Sequence, residues 1–494
     1  MSGAVYCEAQ HFVKLMFNTS NPRCSRPKSF LLQNKCYIRA NIVDMKKIFN
    51  GLYNSFISNV YDEVVKSPVR ILPVTFFILC VLGGIFLYLP CSGKMSFIDA
   101  LFTAVSGVCV TGLSVSDIAT QLNTFGQFVL MVLIQVGGLG IMTISSVIFL
   151  LLGKKMSVTY EKNARSMFEA ESKEEIKESL FLIFKYTFII EFIGFVIFFL
   201  RFSYINKDLL FGLKQGMFLA VSAFCNAGYA LISDNLIPYN NDPIIILTVA
   251  FLIIFGGIAP VIAITLPKYI KGEKISPVAK IVFNATIALL LIGTIFILIS
   301  AYDNVLDGMS FSNKLLNAFF QSVSARTAGF GSIDLSGISC GSYLTLIFLM
   351  IVGGSPGGTA GGIKTTTFAI LIITTYNLFL GRKNIIRNRE IPYETVYKAI
   401  TLIFVYLLIL AISCFLLITT QMLPHSMLVF EATSAMGTVG LSMGITSGLD
   451  TFGKIVIILT MFLGRVFPAM MIYYLNSKNS EFYLNYPKAK ISLT

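Results

Sequence analysis

Long apolar runs separated by short polar segments fill most of this 494-residue chain. Residues 71–90 and 127–152 form two such runs, and each is long enough to cross a hydrocarbon core of about 30 Å as a helix. Between the long runs lie shorter apolar runs, each followed by a small loop that contains glycine. The pattern predicts an all-α polytopic membrane protein in which spanning helices alternate with half-length helices.

The order of long run, half-length run, glycine loop and long run occurs four times along the chain. We therefore predict four pseudo-symmetric helix–pore-loop–helix units around one central pore, with eight spanning helices and four half-helices. The units are 71–152, 180–266, 279–380 and 397–475, and the second helix of the third unit is broken. The remaining segments are a cytoplasmic N-terminal segment (1–70), a cytoplasmic linker (153–179) and a cytoplasmic C-terminal tail (476–494).

Composition supports a bilayer as the solvent of this chain. Hydrophobic residues make up 55% and charged residues only 13%, with a mean hydropathy of +0.78. The formal charge of +13 comes from basic residues in short loops and in the N-terminal segment, which indicates membrane topology rather than nucleic-acid binding. We expect a multi-pass protein of the cell membrane with both termini in the cytoplasm and the glycine loops entering from outside.

Nine scattered cysteines and two distant histidines offer neither a disulfide framework nor the spacing of a metal site. We expect no organic cofactor, no catalytic residue and no enzymatic activity, because no convergent set of a nucleophile and an acid or base is visible.

The residues after each half-length run repeat the pattern small, small, glycine, bulky. Non-helical backbone at membrane depth is tolerated where it lines a water-filled cavity, and rings of backbone carbonyls replace the water shell of K⁺. Glycine helps such a loop because it reaches positive φ without a Cβ penalty. For a single copy, a helix-packing glycine would be the better interpretation.

Four copies in register instead predict an ion filter that binds a dehydrated cation such as K⁺ through backbone atoms only. Its identification as a K⁺ selectivity filter is what the family resemblance given below implies. We number these segments strings 1 to 4. They comprise Val110, Thr111, Gly112 and Leu113; Asn226, Ala227, Gly228 and Tyr229; Thr327, Ala328, Gly329 and Phe330; and Thr438, Val439, Gly440 and Leu441.

A glycine-rich break interrupts the third unit, with six glycines and one proline in ten residues. A continuous helix does not survive this composition, so we expect the break to lie beside the pore below the strings, where it would obstruct the pore. The break consists of Gly353, Gly354, Ser355, Pro356, Gly357, Gly358, Thr359, Ala360, Gly361 and Gly362, and Lys364 follows it. A phosphate-binding loop is the competing interpretation, but Ile363 stands where that motif requires glycine before the lysine.

The motifs of the four strings resemble the filter signatures of the membrane subunit of the Ktr/Trk potassium transporter superfamily. They read Thr111-Gly112-Leu113, Asn226-Ala227-Gly228, Arg326-Thr-Ala-Gly-Phe330 and Gly437-Thr-Val-Gly-Leu-Ser442. The resemblance extends from Ile71 to the last helix, and the lack of an apolar pair before Ile71 makes the chain more similar to the Ktr branch than to Trk.

The chain departs from the family pattern at three positions beside the strings. Tyr229 stands where phenylalanine is usual, and Cys109 and Cys225 stand where threonine or asparagine is more frequent. Sensitivity to thiol reagents and a small packed thiol are both open interpretations of these cysteines.

The resemblance implies K⁺ uptake, an intramembrane gating loop at the break, and an arginine at position 465 that faces the pore and contacts this loop. It also implies a homodimer that rests on a cytosolic ring of separately encoded nucleotide-binding regulatory subunits. Snorkelling to the membrane interface is the alternative for Arg465 and Lys364. We expect Glu431 to support string 4 by hydrogen bonds. Coupling to Na⁺ stays open, as does the choice between channel-like and coupled transport.

A secondary transporter with a midplane site at broken helices is the alternative function. Such transporters often contain inverted repeats, whereas each unit here begins on the same basic side of the membrane. The parallel repeats favour a pore.

Overall fold

The computed structural model describes residues 68–140, 173–386 and 389–477. In these ranges the dominant elements are thirteen helices, which we number in chain order. They are α1 Pro68–Tyr88, α2 Phe97–Val108, α3 Thr124–Leu139, α4 Lys173–Asn206, α5 Leu209–Cys225, α6 Pro243–Gly257, α7 Pro277–Ala301, α8 Phe311–Ser324, α9 Cys340–Ile351, α10 Thr365–Phe379, α11 Tyr393–Thr420, α12 His425–Gly437 and α13 Thr451–Ser477.

Shorter elements connect them. Helical turns span Ile118–Gln121, Ile237–Tyr239, Pro260–Ala263, Leu266–Ile270 and Thr446–Gly448. Strands β1 Ile385–Ile386 and β2 Arg389–Glu390 form an antiparallel hairpin before α11. The predictions for residues 1–67, 141–172 and 478–494 lie outside the described residues.

Each unit contains an outer helix, a half-helix and an inner helix. The half-helices are α2, α5, α8 and α12, and the inner helix of the third unit is split into α9 and α10. The inner helix of every unit packs against the half-helix of the next unit, in the pairs α3 with α5, α6 with α8, α9 with α12, and α13 with α2. Because the last pair returns to the first unit, the four units close into a ring.

Burial follows the geometry expected of a protein in lipid. The half-helices lie at the centre, where Phe102, Ala223 and Ala435 are fully buried. Outer helices instead expose large apolar side chains, among them Leu200 on α4 and Phe404 on α11. Among the described residues, four helical stretches are long and apolar enough to cross a membrane: Glu178–Asn206, Pro277–Ala301, Tyr393–Thr420 and Thr451–Met471. The predicted class, an all-α polytopic membrane protein, is confirmed, with the small hairpin as an addition.

The inner helix of the second unit is shorter than the sequence pattern predicts. We expected a continuous span to residue 266, but α6 ends at Gly257 and a separate turn begins at Pro260. Proline lacks an N–H and disfavours helical geometry in the residue before it, so the run breaks at this point. The second unit therefore contributes a further break beside the one predicted in the third unit.

Candidate ion pathway

The backbone of the four strings alternates in the same way in every unit. The first residue and the glycine of each string have positive φ, whereas the residue between them does not. The angles are 56° and 95° at Val110 and Gly112, 62° and 72° at Asn226 and Gly228, 70° and 76° at Thr327 and Gly329, and 49° and 99° at Thr438 and Gly440. Left-handed geometry costs about 1–2 kcal/mol at a non-glycine residue. Its recurrence at four equivalent positions therefore indicates that the four strings share one required backbone conformation.

The four strings meet around one axis. A Cβ atom placed on any of the four string glycines would come closer than 3.0 Å to a carbonyl oxygen of the next string. The pairs are Gly112 with Ala227 O, Gly228 with Ala328 O, Gly329 with Val439 O, and Gly440 with Thr111 O. The last pair closes the circle, so strings 1 and 3 lie opposite each other, as do strings 2 and 4. We call this arrangement the string ring.

Serines at the ends of the half-helices hold the strings in place. The hydroxyl oxygens of Ser106, Ser222 and Ser434 accept hydrogen bonds from the backbone N–H groups of Gly112, Tyr229 and Gly440, each at 3.0 Å. In the third unit Ser324 donates to Phe330 O at 2.6 Å. All four serines are fully buried. The sequence pattern predicted no role for these serines.

Two further side chains tie string 2 at its outer end. The hydroxyl of Tyr229 donates to Leu113 O of string 1 at 2.9 Å, and the side-chain amide of Asn235 donates to Gly228 O at 3.1 Å. A phenylalanine at position 229 could not make the first bond. The departure of Tyr229 from the family pattern therefore adds a hydrogen bond between units 1 and 2.

Glu431 lies behind string 4, and its side chain is fully buried. Its carboxylate accepts hydrogen bonds from Ser442 Oγ at 2.9 Å and from Thr446 Oγ1. Both donors follow string 4 in the chain, so the contacts fit the predicted supporting role; the role itself stays a prediction.

Polar side chains at the inner end of the string ring differ in how they are satisfied. The buried hydroxyls of Thr327 and Thr438 have no hydrogen-bond partner within the part of the chain that the structure describes. With its amide oriented to suit its neighbours, Asn226 donates instead to Ile253 O at 3.2 Å and to Ala223 O at 3.1 Å. Buried unpaired hydroxyls are uncommon in folded proteins, so these two hydroxyl oxygens are available to bind water or a cation.

The glycine-rich break forms a closed loop below the string ring. Its base is fastened by hydrogen bonds from Gly353 N to Ile363 O at 2.9 Å and from Ile363 N to Ile351 O at 3.1 Å. Thr359 Oγ1 donates to Phe224 O beside string 2 at 3.3 Å, and a Cβ on Gly361 would meet the Thr438 side chain of string 4. Strings 2 and 4 are opposite members of the ring, so the break reaches across the axis.

The break in the third unit pairs with the broken end of α6. Ser355 N donates to Gly257 O at 3.0 Å and Thr359 N donates to Gly256 O at 3.1 Å. Ser355 Oγ accepts from Ala259 N at 2.7 Å. Backbone groups freed by the end of one helix are thus satisfied by the other break, which keeps irregular backbone tolerable at membrane depth.

Three cationic side chains donate to carbonyl groups of the break. Arg465 of α13 bonds to Thr359 O and, at 2.9 Å, to Gly137 O of α3. Arg326, directly before string 3, bonds to Gly353 O at 3.1 Å, and Lys364 Nζ bonds to Ala360 O at 2.7 Å. Lys364 therefore folds back onto the break that precedes it. The sequence pattern predicted no role for Arg326, although its position directly before string 3 was a signal.

Cys109 and Cys225 are buried at the ends of their half-helices. Cys225 Sγ lies 3.6 Å from Gln135 Oε1 of α3. The packing favours the interpretation of small buried thiols over that of reagent-accessible ones.

Asp450 lies at the outer start of α13, just before the spanning segment. Its carboxylate accepts from Gly453 N at 2.7 Å and from the Gln421 amide at 2.6 Å. These hydrogen bonds hold the pKa of Asp450 below its ordinary value. The side chain therefore stays ionised at neutral pH and caps the helix.

Comparison with known proteins shows to which family a chain with this architecture belongs. Residues 61–479 match the family model of TrkH, described as a cation transport protein. The chain is 37% identical to the potassium/sodium uptake protein NtpJ of Enterococcus hirae over 443 residues, which cover 86% of this chain and 97% of that protein. It is 35% identical to the Ktr system potassium uptake protein B of Bacillus subtilis over 439 residues, covering 87% and 98% of the two chains.

A solved structure supports the fold. The crystal structure of the potassium transporter TrkH from Vibrio parahaemolyticus matches with a TM-score of 0.63 and covers 83% of this chain and 84% of that chain, at 17% identity. These relatives are transporters rather than enzymes. The family match and the identity to Ktr proteins together show that this chain belongs to the TrkH family of cation transport proteins, as a Ktr-type membrane subunit.

Proposed function

We propose that this protein is the membrane subunit of a K⁺ uptake system and that K⁺ crosses the membrane through the string ring. The cyclic approach of each string glycine to a carbonyl oxygen of the next string is the observation that carries the proposal. It brings equivalent carbonyl oxygens from all four units to one axis. Such a set of oxygens is what K⁺ needs when it leaves its water shell.

The half-helices add an electrostatic contribution. Each ends where a string begins, so the partial negative charge of its C-terminus points toward the ring. The unpaired hydroxyls of Thr327 and Thr438 supply further oxygens at the inner end. A cation is thereby stabilised without a ring of carboxylates.

The glycine-rich break is the gate in this proposal, and the contacts described above support a closed state. The break spans from string 2 to string 4, and Arg326, Lys364 and Arg465 bring positive charge to it. Two unit charges about 8 Å apart repel each other by about 2 kcal/mol at an effective dielectric constant of about 20. A seated break therefore blocks the path sterically and opposes K⁺ electrostatically.

The proposal extends to the assembly: a homodimer in the cell membrane, with both termini in the cytoplasm and a cytosolic ring of nucleotide-binding subunits that moves the break. Basic residues in the segments between units support this orientation. Na⁺ is a second candidate ion because the name of the Enterococcus hirae relative includes sodium uptake.

The test is ⁸⁶Rb⁺ flux into proteoliposomes that contain the purified chain, in competition with K⁺, Na⁺ and Li⁺. We expect K⁺ to compete best and Gly329→Ser to lose this preference, because its side chain would meet Val439 O. Gly331→Ser is the matched control, since the nearest atom to a Cβ there is Ile333 O at 3.8 Å. Equal competition by all three ions in the unmodified chain would overturn the filter, and absence of flux in folded protein would favour a secondary transporter.

A further inference from the structure

A groove runs along the outer surface between α7 and α10. On α7 it is lined by Lys280, Ile281, Asn284, Ala285, Ala288 and Ile292, which recur at the spacing of one helix face. Phe368, Ala369 and Ile372 line it on α10, and Ile386 of the hairpin closes it at the Lys280 end. The groove exists because Ala285, Ala288 and Ala369 leave space between larger side chains.

The length of the groove matches the thickness of one leaflet of the bilayer. From Lys280 to Ile292 the helix rises by about 18 Å at 1.5 Å per residue, against about 15 Å for half of the hydrocarbon core. Ile292 at the deep end and Ile372, further along α10 toward the hairpin, are each 52% exposed. An extended acyl chain therefore fits its length, and the open side faces the bilayer.

Polar donors gather at the shallow end. The ammonium group of Lys280 has no hydrogen-bond or ion-pair partner among the described residues. Tyr269 Oη donates to Asn284 Oδ1 at 2.7 Å, which leaves the amide N–H groups of Asn284 for another partner. Lys280 lies in the first turns of α7, where the helix dipole also favours an anion.

Basic residues outnumber acidic ones in the chain segments next to this end. Residues 266–280 and 380–392 together contain eight Lys or Arg and two Glu, and the described residues that line the groove include no carboxylate. A second copy of the chain would have to bring carboxylates to this face, whereas an anionic lipid carries both the charge and the apolar chain.

From these observations we propose that the groove between α7 and α10 binds an anionic phospholipid, with its phosphate at Lys280 and Asn284 and one acyl chain along the alanines. The lipid contacts α10, which begins directly after the break. Binding itself does not depend on the proposed function, because it requires only that the chain be embedded in a bilayer.

The chain contains no tryptophan, so a single introduced tryptophan is a unique fluorescent reporter. We would place it at Ile372→Trp in the groove and at Phe404→Trp, a lipid-exposed position on α11 outside the groove. The full chain is reconstituted in phosphatidylcholine with increasing fractions of brominated phosphatidylglycerol or brominated phosphatidylcholine, and quenching of fluorescence is measured.

In the groove we expect half-maximal quenching at about fivefold lower mole fraction of the anionic lipid, which corresponds to about 1 kcal/mol for one lysine. Phe404→Trp should show no such preference. Lys280→Gln should abolish the preference at position 372, and Lys271→Gln, an equal charge change in the exposed loop before α7, should retain it.

Three outcomes would overturn the proposal: equal preference at positions 372 and 404, an unchanged preference in Lys280→Gln, or a tryptophan at 372 that neither lipid quenches. The last result would mean that protein, such as a second copy, covers the groove. None of these outcomes depends on ion flux, so failure here is distinguishable from failure of the proposed function.

Discussion

The string ring and the glycine-rich break both depend on glycine, but they are held in different ways. Each string is fastened to a serine of its own half-helix, and all four strings share one backbone geometry. The break is held by contacts from other units, namely the end of α6, Arg326 and Arg465, together with its own Lys364. This difference fits the roles that we propose, a permanent filter for the string ring and a movable gate for the break.

Their glycines differ in the same sense. All four string glycines have positive φ, and a Cβ atom on each would lie too close to a carbonyl oxygen of the next string. A side chain is therefore excluded both by the backbone conformation and by the lack of space. In the break only Gly357 and Gly362 have positive φ, while Gly353, Gly358 and Gly361 are needed for close contact in the seated position. A substitution in the ring should therefore damage selectivity, and a change in the break should alter the open fraction.

Removal of residues 357–362 is the strongest test of this difference. Without the part of the break that lies under the ring, the steric block is removed, and we expect ⁸⁶Rb⁺ flux to rise about 30-fold, which corresponds to a barrier lower by about 2 kcal/mol. K⁺ should still compete better than Na⁺, since the strings keep their own serines. Loss of the preference together with the rise would show that the ring depends on the break.

Arg465→Gln should raise flux about tenfold, because it removes one charge and the hydrogen bonds to Thr359 O and Gly137 O. Flux measurements in proteoliposomes at equal protein content check this. Lys454→Gln on the same helix is the control, since Lys454 pairs with Asp99 at 2.7 Å away from the break. Equal effects of the two substitutions would contradict a specific role for Arg465.

Arg326→Gln sharpens the comparison because Arg326 joins string 3 to Gly353 of the break. We expect a rise in flux of about threefold and, unlike in Arg465→Gln, a simultaneous fall in the K⁺ preference over Na⁺. Arg201→Gln is the control, because it breaks the ion pair between Arg201 of α4 and Asp242 at 2.8 Å. It should change neither the flux nor the K⁺ preference. A variant with higher flux and intact preference would show that the contact does not couple the two regions.

Tyr229→Phe should have the smallest effect, since it removes one hydrogen bond worth about 1 kcal/mol. The expected result is a Tm lower by about 1–2 °C and a weaker K⁺ preference. Tyr343→Phe removes a similar bond, from its hydroxyl to Ser426 O at 2.9 Å, which joins α9 to α12 and involves no string residue. It should lower the Tm alone, and equal selectivity in both variants would place Tyr229 outside the filter.

Much of this site was accessible from the chain alone. Hydrophobic runs and four recurring glycines led to the fold class, the strings and the break, because spanning length and backbone freedom are local properties of a sequence. The break after α6 was missed because Gly257 and Pro260 are a much weaker sequence signal than the six glycines and one proline of the third unit. Ser324 was missed because it precedes its string glycine by five residues, whereas the serines of the other three units precede theirs by six.

The sequence by itself determined that the chain is a membrane protein of four repeats, each with a glycine that frees the backbone. Only the tertiary structure decided the cyclic order of the strings, the partners of Arg326, Arg465 and Tyr229, and the pairing of two broken helices. The physical reason is that hydropathy and glycine act within a few residues, whereas hydrogen bonds such as that from Thr359 to Phe224 join positions 135 residues apart. Such contacts form only when the four units have closed around their common axis.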